Sequence, residues 1–209
     1  MSSPFPAVFL PERQHELADL AQSYGQPLIE IADASAYEGY LRSFRMNKRV
    51  GEACMVIRRP NGRLLTMTKP FYPAGVYRLP TGGIERGEAI LHGLLRETEE
   101  ETSLTVEVRR FLALAVYTRS DTDIPLEWRE YATYAFLLDE VGGTLHVQDE
   151  HEQIADYREI TPDDLAAIVM QLDTLGNDYN DELDASIGDW GHYRAVIHRL
   201  VWQALQTEG

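Results

Sequence analysis

Apolar and β-branched residues cluster in the middle of the chain, in short runs that turn residues interrupt. Pro60, Asn61 and Gly62 separate two such runs, and their spacing is typical of a hairpin. The segment 105–117 is long and strongly β-prone, so we expect two strand segments there. The pattern predicts strands at residues 27–31, 52–59, 63–69, 76–79, 105–117, 130–139 and 154–160.

Helical periodicity flanks this strand-rich region and occurs once within it. It predicts helices at residues 11–24, 35–44, within 82–104 after a Gly82-Gly83 turn, at 162–172 and at 190–205. The last helix has an apolar stripe typical of a core or a dimer interface: Trp190, Tyr193, Ile197, Leu200, Val201 and Leu205. Strands in the middle with helices around them predict an α+β fold, in which a mixed sheet lies between helical layers (an α/β/α sandwich).

The length of 209 residues and the 44% hydrophobic content suffice for one well-packed domain with additions. We divide the chain into an N-terminal extension at residues 1–45, a central domain at 46–172, and an acidic connector with a C-terminal helix at 173–209. The extension could be a dimerisation element, a cap over a substrate or a cover for a sheet edge. The C-terminal helix would pack on the domain or form the interface of a homodimer.

The net charge of −15 argues against a nucleic-acid polymer or an anionic membrane as the main partner, because both need a basic face. The charge is unevenly distributed. Residues 42–78 hold nine Lys or Arg and one acid, whereas residues 139–189 hold fifteen acids and one Lys or Arg. A basic segment beside an acidic one suits an anionic phosphate substrate. The candidate phosphate contacts are Arg49, Arg58, Lys69 and Arg78.

Cys54 is the single cysteine, and its apolar surroundings predict a buried core residue rather than a nucleophile. A chain with one cysteine forms no internal disulfide, which fits a reducing cytoplasm. We find neither a signal peptide pattern nor 18 consecutive apolar residues, so we expect a cytoplasmic protein that does not span a membrane.

Glu97, Glu100 and Glu101 are spaced at i, i+3 and i+4, so a helix would project all three carboxylates from one face. A bound divalent cation would convert their mutual repulsion into ligation. Oxygen-rich sites of this kind suit Mg²⁺ or Mn²⁺. A run of glutamates alone would favour a solvated acidic helix.

Further residues at fixed spacing distinguish these alternatives. Gly82, Glu88 and Arg96 precede the glutamates, and the stretch ends at Leu104. This stretch resembles the Nudix box, in which a glycine and a glutamate precede an Arg-Glu pair and two further glutamates. Two positions depart from that pattern: Ser103 replaces the late glycine, and Thr98 replaces a bulky apolar residue.

The resemblance implies a Nudix α/β/α sandwich that hydrolyses a nucleoside diphosphate linked to another moiety (NDP-X). Water would attack one phosphorus of the pyrophosphate, and metal ions would neutralise the developing charge. It implies that Arg96 braces the metal carboxylates, with Glu88 in support. The metal ligands that it implies are Glu97, Glu100, Glu101 and the main chain of Gly82.

The general base stays open at this point. The resemblance allows a box glutamate, with Glu100 as the candidate, or an acid from a later loop, for which Glu152 is the first candidate and Glu150 the second. The candidate catalytic residues are therefore Glu100, Glu101, Arg96 and Glu152. Aromatic residues that could stack on the substrate are Tyr72, Tyr77, Tyr117 and Trp128.

Two other functions are compatible with the same fold. Ser103 and the terminal segments favour a non-catalytic Nudix module that binds a nucleotide and regulates a partner, whereas the retained glutamates argue for catalysis. An enzyme similar to isoprenoid-diphosphate isomerases would need a catalytic cysteine, and Cys54 lies well ahead of the box. ADP-ribose pyrophosphatases carry a proline at a characteristic distance after the box. This chain has no proline near that distance, since Pro125 is 21 residues beyond Leu104.

Overall fold

The computed structural model describes residues 5–34, 40, 49–118, 131–147 and 153–207. Their helices are α1 (Pro11–Tyr24), α2 (Ile90–Thr102), α3 (Leu165–Asp173) and α4 (Ile187–Gln206). Their strands are β1 (Leu28–Asp33), β2 (Arg49–Arg58), β3 (Leu64–Thr68), β4 (Thr81–Glu85), β5 (Leu104–Thr118), β6 (Tyr131–Gly143), β7 (Asp156–Ile160), β8 (Tyr179–Asn180) and β9 (Ala185–Ser186). The predicted helix at 35–44 lies outside the described residues except for Tyr40. The loop acids Glu150 and Glu152 also lie outside them.

Seven of these strands form one mixed sheet in the order β1-β5-β6-β2-β3-β7, with β4 beside β2. β1 runs parallel to β5 and β2 runs parallel to β6, and the other pairs are antiparallel. One edge of β2 pairs with β6. The other edge pairs with β4 from Arg49 to Cys54 and with β3 at Arg58.

Alternate residues of β2 face opposite sides of the sheet, and each side packs on helices. Cys54 and Val56 belong to the core under α3 and α4, whereas Ala53 and Met55 belong to the core under α1 and α2. The predicted α+β fold, a mixed sheet between two helical layers, is therefore confirmed.

Helix α4 lies against the sheet of its own chain. Trp190, Tyr193, Ile197 and Val201 of its apolar stripe are fully buried there. The preceding segment, expected to be an irregular connector, contains the short hairpin of β8 and β9. No helix in the described ranges is long and apolar enough to cross a bilayer.

Three local predictions were wrong. Residues 105–117 form one strand instead of two segments, because irregularities in the pairing near Arg110 and Ala113 bend β5 without breaking it. Gly82 and Gly83 are not a turn but the centre of β4, and the expected strand at 76–79 is reduced to one bridge between Arg78 and Met67.

Candidate active site

The glycine pair of β4 lets side chains approach its backbone closely. A Cβ on Gly82 would lie 2.2 Å from Oε2 of Glu97, and a Cβ on Gly83 would lie 2.4 Å from Nε of Arg49. A larger residue at either position would displace a charged side chain. The absence of both Cβ atoms therefore brings the acidic helix α2 and the start of β2 against one strand.

Arg96 connects α2 to the residues that precede it. Its Nη1 donates to Glu97 Oε1 at 2.8 Å and to Glu100 Oε2 at 2.9 Å. Its Nε and Nη2 donate to the two oxygens of Glu88 at 2.9 and 3.0 Å, and Nη2 also reaches the Gly83 carbonyl at 3.0 Å. The hydrogen bonds from Arg96 lower the pKa of Glu88 to about 2, and the hydrogen bonds that Arg96 donates to Glu88 and Glu97 raise its own pKa.

The three glutamates of α2 differ in burial. Glu97 and Glu101 are only 5% and 1% exposed, whereas the Glu100 side chain is 36% exposed. In the described part of the chain, no three acidic, histidine or cysteine side chains converge as a ready-made cation site. Arg96 Nη1 instead holds one carboxylate oxygen of Glu97 and one of Glu100 by hydrogen bonds.

A cavity of about 220 Å³ lies beside this cluster. Its wall includes Gly82, Gly83 and Glu97. Four cationic side chains line it, namely Arg49, Lys69, Arg78 and Arg194. A cavity that combines these cations with an acidic helix is suited to a phosphate-containing ligand.

The predicted phosphate contacts therefore differ in their positions. Arg49 and Lys69 line the cavity, and Arg49 forms no ion pair with a described residue. Arg78 also lines it but is buried, and it donates to the Tyr72 hydroxyl, the Leu79 carbonyl and Thr81 Oγ1 at 2.7 to 3.0 Å.

Arg58 is placed away from the cavity, contrary to the expected phosphate contact. It ends β2, about 30 Å from Arg49 at roughly 3.3 Å per strand residue. Its Nε instead donates to Oδ1 of Asp139 at 2.7 Å.

The candidate stacking residues are also divided. Tyr117 is buried against Tyr193, with ring centroids 4.7 Å apart. Tyr72 lines the cavity and packs on Trp190, whereas Tyr77 stacks under Arg158 outside it. Trp128 lies outside the described residues.

The sequence reasoning missed a buried ion pair at the floor of the cavity. Arg194 of α4 and Glu52 of β2 are 4% and 2% exposed, and Nη1 of Arg194 donates to Oε1 of Glu52 at 2.7 Å. Arg194 also donates to Thr81 Oγ1 at 3.0 Å and to the Tyr40 hydroxyl at 2.7 Å. The available signal was Glu52 itself, the one acid in a basic segment and a charged residue in an apolar strand.

His198, one turn after Arg194, fixes the segment that leads into β4. Its Nδ1 donates to the Arg194 carbonyl at 2.7 Å, and its Nε2 accepts from the Leu79 amide at 2.9 Å. Burial lowers the pKa of His198 to about 3, so the imidazole is neutral at physiological pH.

Cys54 does not line the cavity. It is fully buried, and burial raises the pKa of its thiol to about 12. A protonated thiol enclosed by the core matches the structural role expected for this residue and does not favour isomerase-like chemistry.

A mixed sheet between helical layers, with an Arg-Glu helix packed on a glycine strand, defines a hydrolase of the Nudix type. The NUDIX domain family matches residues 48–180, more than half of the sequence, and the chain belongs to the Nudix family. It is a hydrolase that acts on pyrophosphate bonds.

The chain is also similar to individual proteins in sequence and in structure. An ADP-ribose pyrophosphatase of Methanocaldococcus jannaschii is 32% identical over 130 residues, which are 62% of this chain and 70% of the relative. Nudix hydrolase 6 of Arabidopsis thaliana is 35% identical over 68 residues, 31% of this chain and 24% of the relative. The structure of an ADP-ribose pyrophosphatase from Streptococcus suis aligns over 76% of this chain and 93% of its own, with 16% identity and a TM-score of 0.44.

Proposed function

We propose that the protein hydrolyses a nucleoside diphosphate linked to another moiety, with ADP-ribose as the first candidate, in a reaction that depends on Mg²⁺ or Mn²⁺. The observation that carries this proposal is the cavity, in which Arg49 and Lys69 face the same space as Glu97 and the glycine pair. The name of the archaeal relative suggests ADP-ribose, although the proline expected after the box is absent here.

The donor chemistry of α2 fits a divalent cation. Glu97 and Glu101 are buried carboxylates one helical turn apart, and two such charges repel each other strongly in a low dielectric. A cation would offset this repulsion. Glu97, Glu100, Glu101 and the Gly82 carbonyl would hold it, and it would supply charge neutralisation at the phosphates and a more acidic water.

The residues of the chain itself would orient and activate the reactants. Arg96 would keep Glu97 and Glu100 in place through the hydrogen bonds of its guanidinium group. Arg49 and Lys69 would bind phosphate oxygens. Glu100 is our first choice for the general base, since its side chain is accessible to a reacting water. Glu152 is the alternative.

The test is release of a phosphate ester from a panel of substrates with Mg²⁺ or Mn²⁺ added. The panel contains ADP-ribose, dinucleoside polyphosphates, NADH, nucleotide sugars, coenzyme A and nucleoside triphosphates. Glu100→Gln should lower kcat by about 100-fold or more on the preferred substrate. Glu99→Gln is the matched control, because Glu99 is an exposed neighbour on the same helix.

Turnover of one substrate class that Glu100→Gln abolishes and Glu99→Gln preserves would support the proposal. Metal-dependent nucleotide binding without turnover of any substrate would contradict it. A homodimer stays a prediction, and sedimentation analysis would test it.

A further inference from the structure

The two carboxylate oxygens of Glu52 have different surroundings. Oε1 accepts three hydrogen bonds, from Arg194 Nη1 at 2.7 Å, the Tyr193 hydroxyl at 2.9 Å and Thr133 Oγ1 at 3.0 Å. Oε2 takes part in no hydrogen bond in the described part of the chain, and it is not sealed from solvent. Because Glu52 lines the cavity, Oε2 is the oxygen that a ligand can reach.

The carboxylate is held in its ionised form. Burial alone would raise the pKa of Glu52, but the charge and hydrogen bond of Arg194, the charge of Arg78 and the Tyr193 hydroxyl more than offset this and lower it. An ionised carboxylate only accepts hydrogen bonds. A carboxylate with a lowered pKa is also a poor general base, so the chemistry left to Oε2 is recognition of a donor.

The position of Glu52 suggests which part of a substrate it would meet. Glu52 is the register partner of Gly83 across β2 and β4, beside the glycine that Glu97 approaches. Arg49 and Lys69 line the same small cavity. A diphosphate held by these cations and by α2 would place the group joined directly to it near Glu52.

We propose that Oε2 of Glu52 accepts a hydrogen bond from a hydroxyl group on the X moiety, so that the site selects substrates in which X is a sugar. This inference rests on the proposed hydrolysis of NDP-X. A site with a buried acceptor discriminates against an analogue that lacks the donor, because binding that analogue leaves the acceptor unpaired.

Glu52→Gln is a sharp test because the environment of Oε1 dictates the orientation of the amide. Three donors converge on that oxygen, so the glutamine must turn its carbonyl toward them. Its amino group then faces the cavity. The substitution thereby replaces an acceptor by a donor at the proposed contact, with almost no change in shape.

The experiment compares ADP-ribose with the n-pentyl ester of ADP, whose X moiety has no hydroxyl group. We expect the wild-type protein to prefer ADP-ribose in kcat/KM by between about 10-fold and 150-fold, the range for a hydrogen bond to a charged group. Glu52→Gln should remove most of this preference, mainly through KM. Thr133→Val, which deletes a donor to Oε1 and leaves Oε2 unchanged, should retain it.

Several outcomes would overturn the inference. One is a wild-type protein that treats both substrates equally, which needs no variant and so does not depend on the folding of Glu52→Gln. Another is an equal loss on both substrates in Glu52→Gln, as expected of a purely structural residue. A third is that Glu52→Gln changes the discrimination between ADP-ribose and 2′-deoxy-ADP-ribose, which lacks a hydroxyl group on the nucleoside, instead of the discrimination against the pentyl ester. That result would place Glu52 at the nucleoside.

A failure of the proposed function can be recognised separately. If the wild-type protein hydrolyses no NDP-X, the same comparison is made with dissociation constants from calorimetry. A preference for ADP-ribose that Glu52→Gln removes would still support the contact, and failure to bind either ligand would overturn it.

Discussion

Gly82→Ala tests whether the contact between β4 and α2 sets the position of a reactive carboxylate. The added Cβ would lie 2.2 Å from both Cγ and Oε2 of Glu97, whereas ordinary contacts begin at 3.4 Å. The Glu97 side chain must therefore move by about 1.2 Å. The atoms in the way all belong to the Glu97 side chain and none to the backbone, so we expect the side chain to move and the backbone of β4 to stay in place.

A displacement of this size at a reacting centre lowers the rate by about 100-fold, equivalent to about 2.7 kcal/mol in the barrier. We expect Gly82→Ala to reduce kcat by that factor on the preferred substrate. We expect the melting temperature to change by only a few degrees. Gly83→Ala should instead raise KM, because its Cβ would displace Arg49.

Gly176→Ala is the matched control, since its Cβ would meet nothing within 4 Å and its backbone is not left-handed. The assay is phosphate-ester release with the added divalent cation, alongside thermal unfolding of each variant. Activity of Gly82→Ala within threefold of the wild-type value would refute the reasoning. So would a loss of activity that only follows a loss of folded protein.

Three further predictions concern stability and substrate binding. Burial lowers the pKa of His198 from 6.5 to about 3, so between these pH values only the unfolded chain gains a proton there. The contribution of His198 to the free energy of unfolding is therefore fully present above pH 6.5 and is lost as the pH falls. We expect the free energy of unfolding to fall by about 3 kcal/mol from pH 7 to 4.5. Urea unfolding should show that this pH dependence is weaker in His198→Gln and unchanged in His192→Gln, a substitution of an exposed histidine in the same helix. Equal dependence of the unfolding free energy on pH in the two variants would contradict the prediction. In steady-state kinetics, Arg49→Ala should raise KM about tenfold, whereas Arg58→Ala should leave KM unchanged. A larger increase in KM for Arg58→Ala than for Arg49→Ala would show that Arg49 is not the phosphate contact. Ser103 has a left-handed backbone with φ of 53°, so Ser103→Gly should raise the free energy of unfolding by about 0.5 kcal/mol. A lower melting temperature for this variant than for the wild-type protein would refute the prediction.

Features set by short-range pattern could be predicted from the sequence. The spacing of Glu97, Glu100 and Glu101 placed them on one helix, as the structure shows in α2. The alternation of apolar residues identified most strands of the sheet. These properties depend on periods of two and 3.6 residues, which the sequence displays directly.

Features set by long-range pairing could not be predicted. The glycine pair reads as a turn from local preference, yet Gly82 and Gly83 pair with β2 because side chains from α2 and β2 need the space of the missing Cβ atoms. Arg49 and Arg58 look equivalent as cations in one basic segment. Only the direction and length of β2 place one at the cavity and the other at Asp139.

The ion pair between Glu52 and Arg194 has a consequence for how the protein is made. The two residues are separated by 142 positions, so β2 and all of α2 are synthesised long before Arg194 leaves the ribosome. A buried glutamate without its arginine costs about 3–5 kcal/mol, so the floor of the cavity should form last. A single protease cut at residues 175–178 would leave every glutamate of α2 on one fragment and Arg194 on the other.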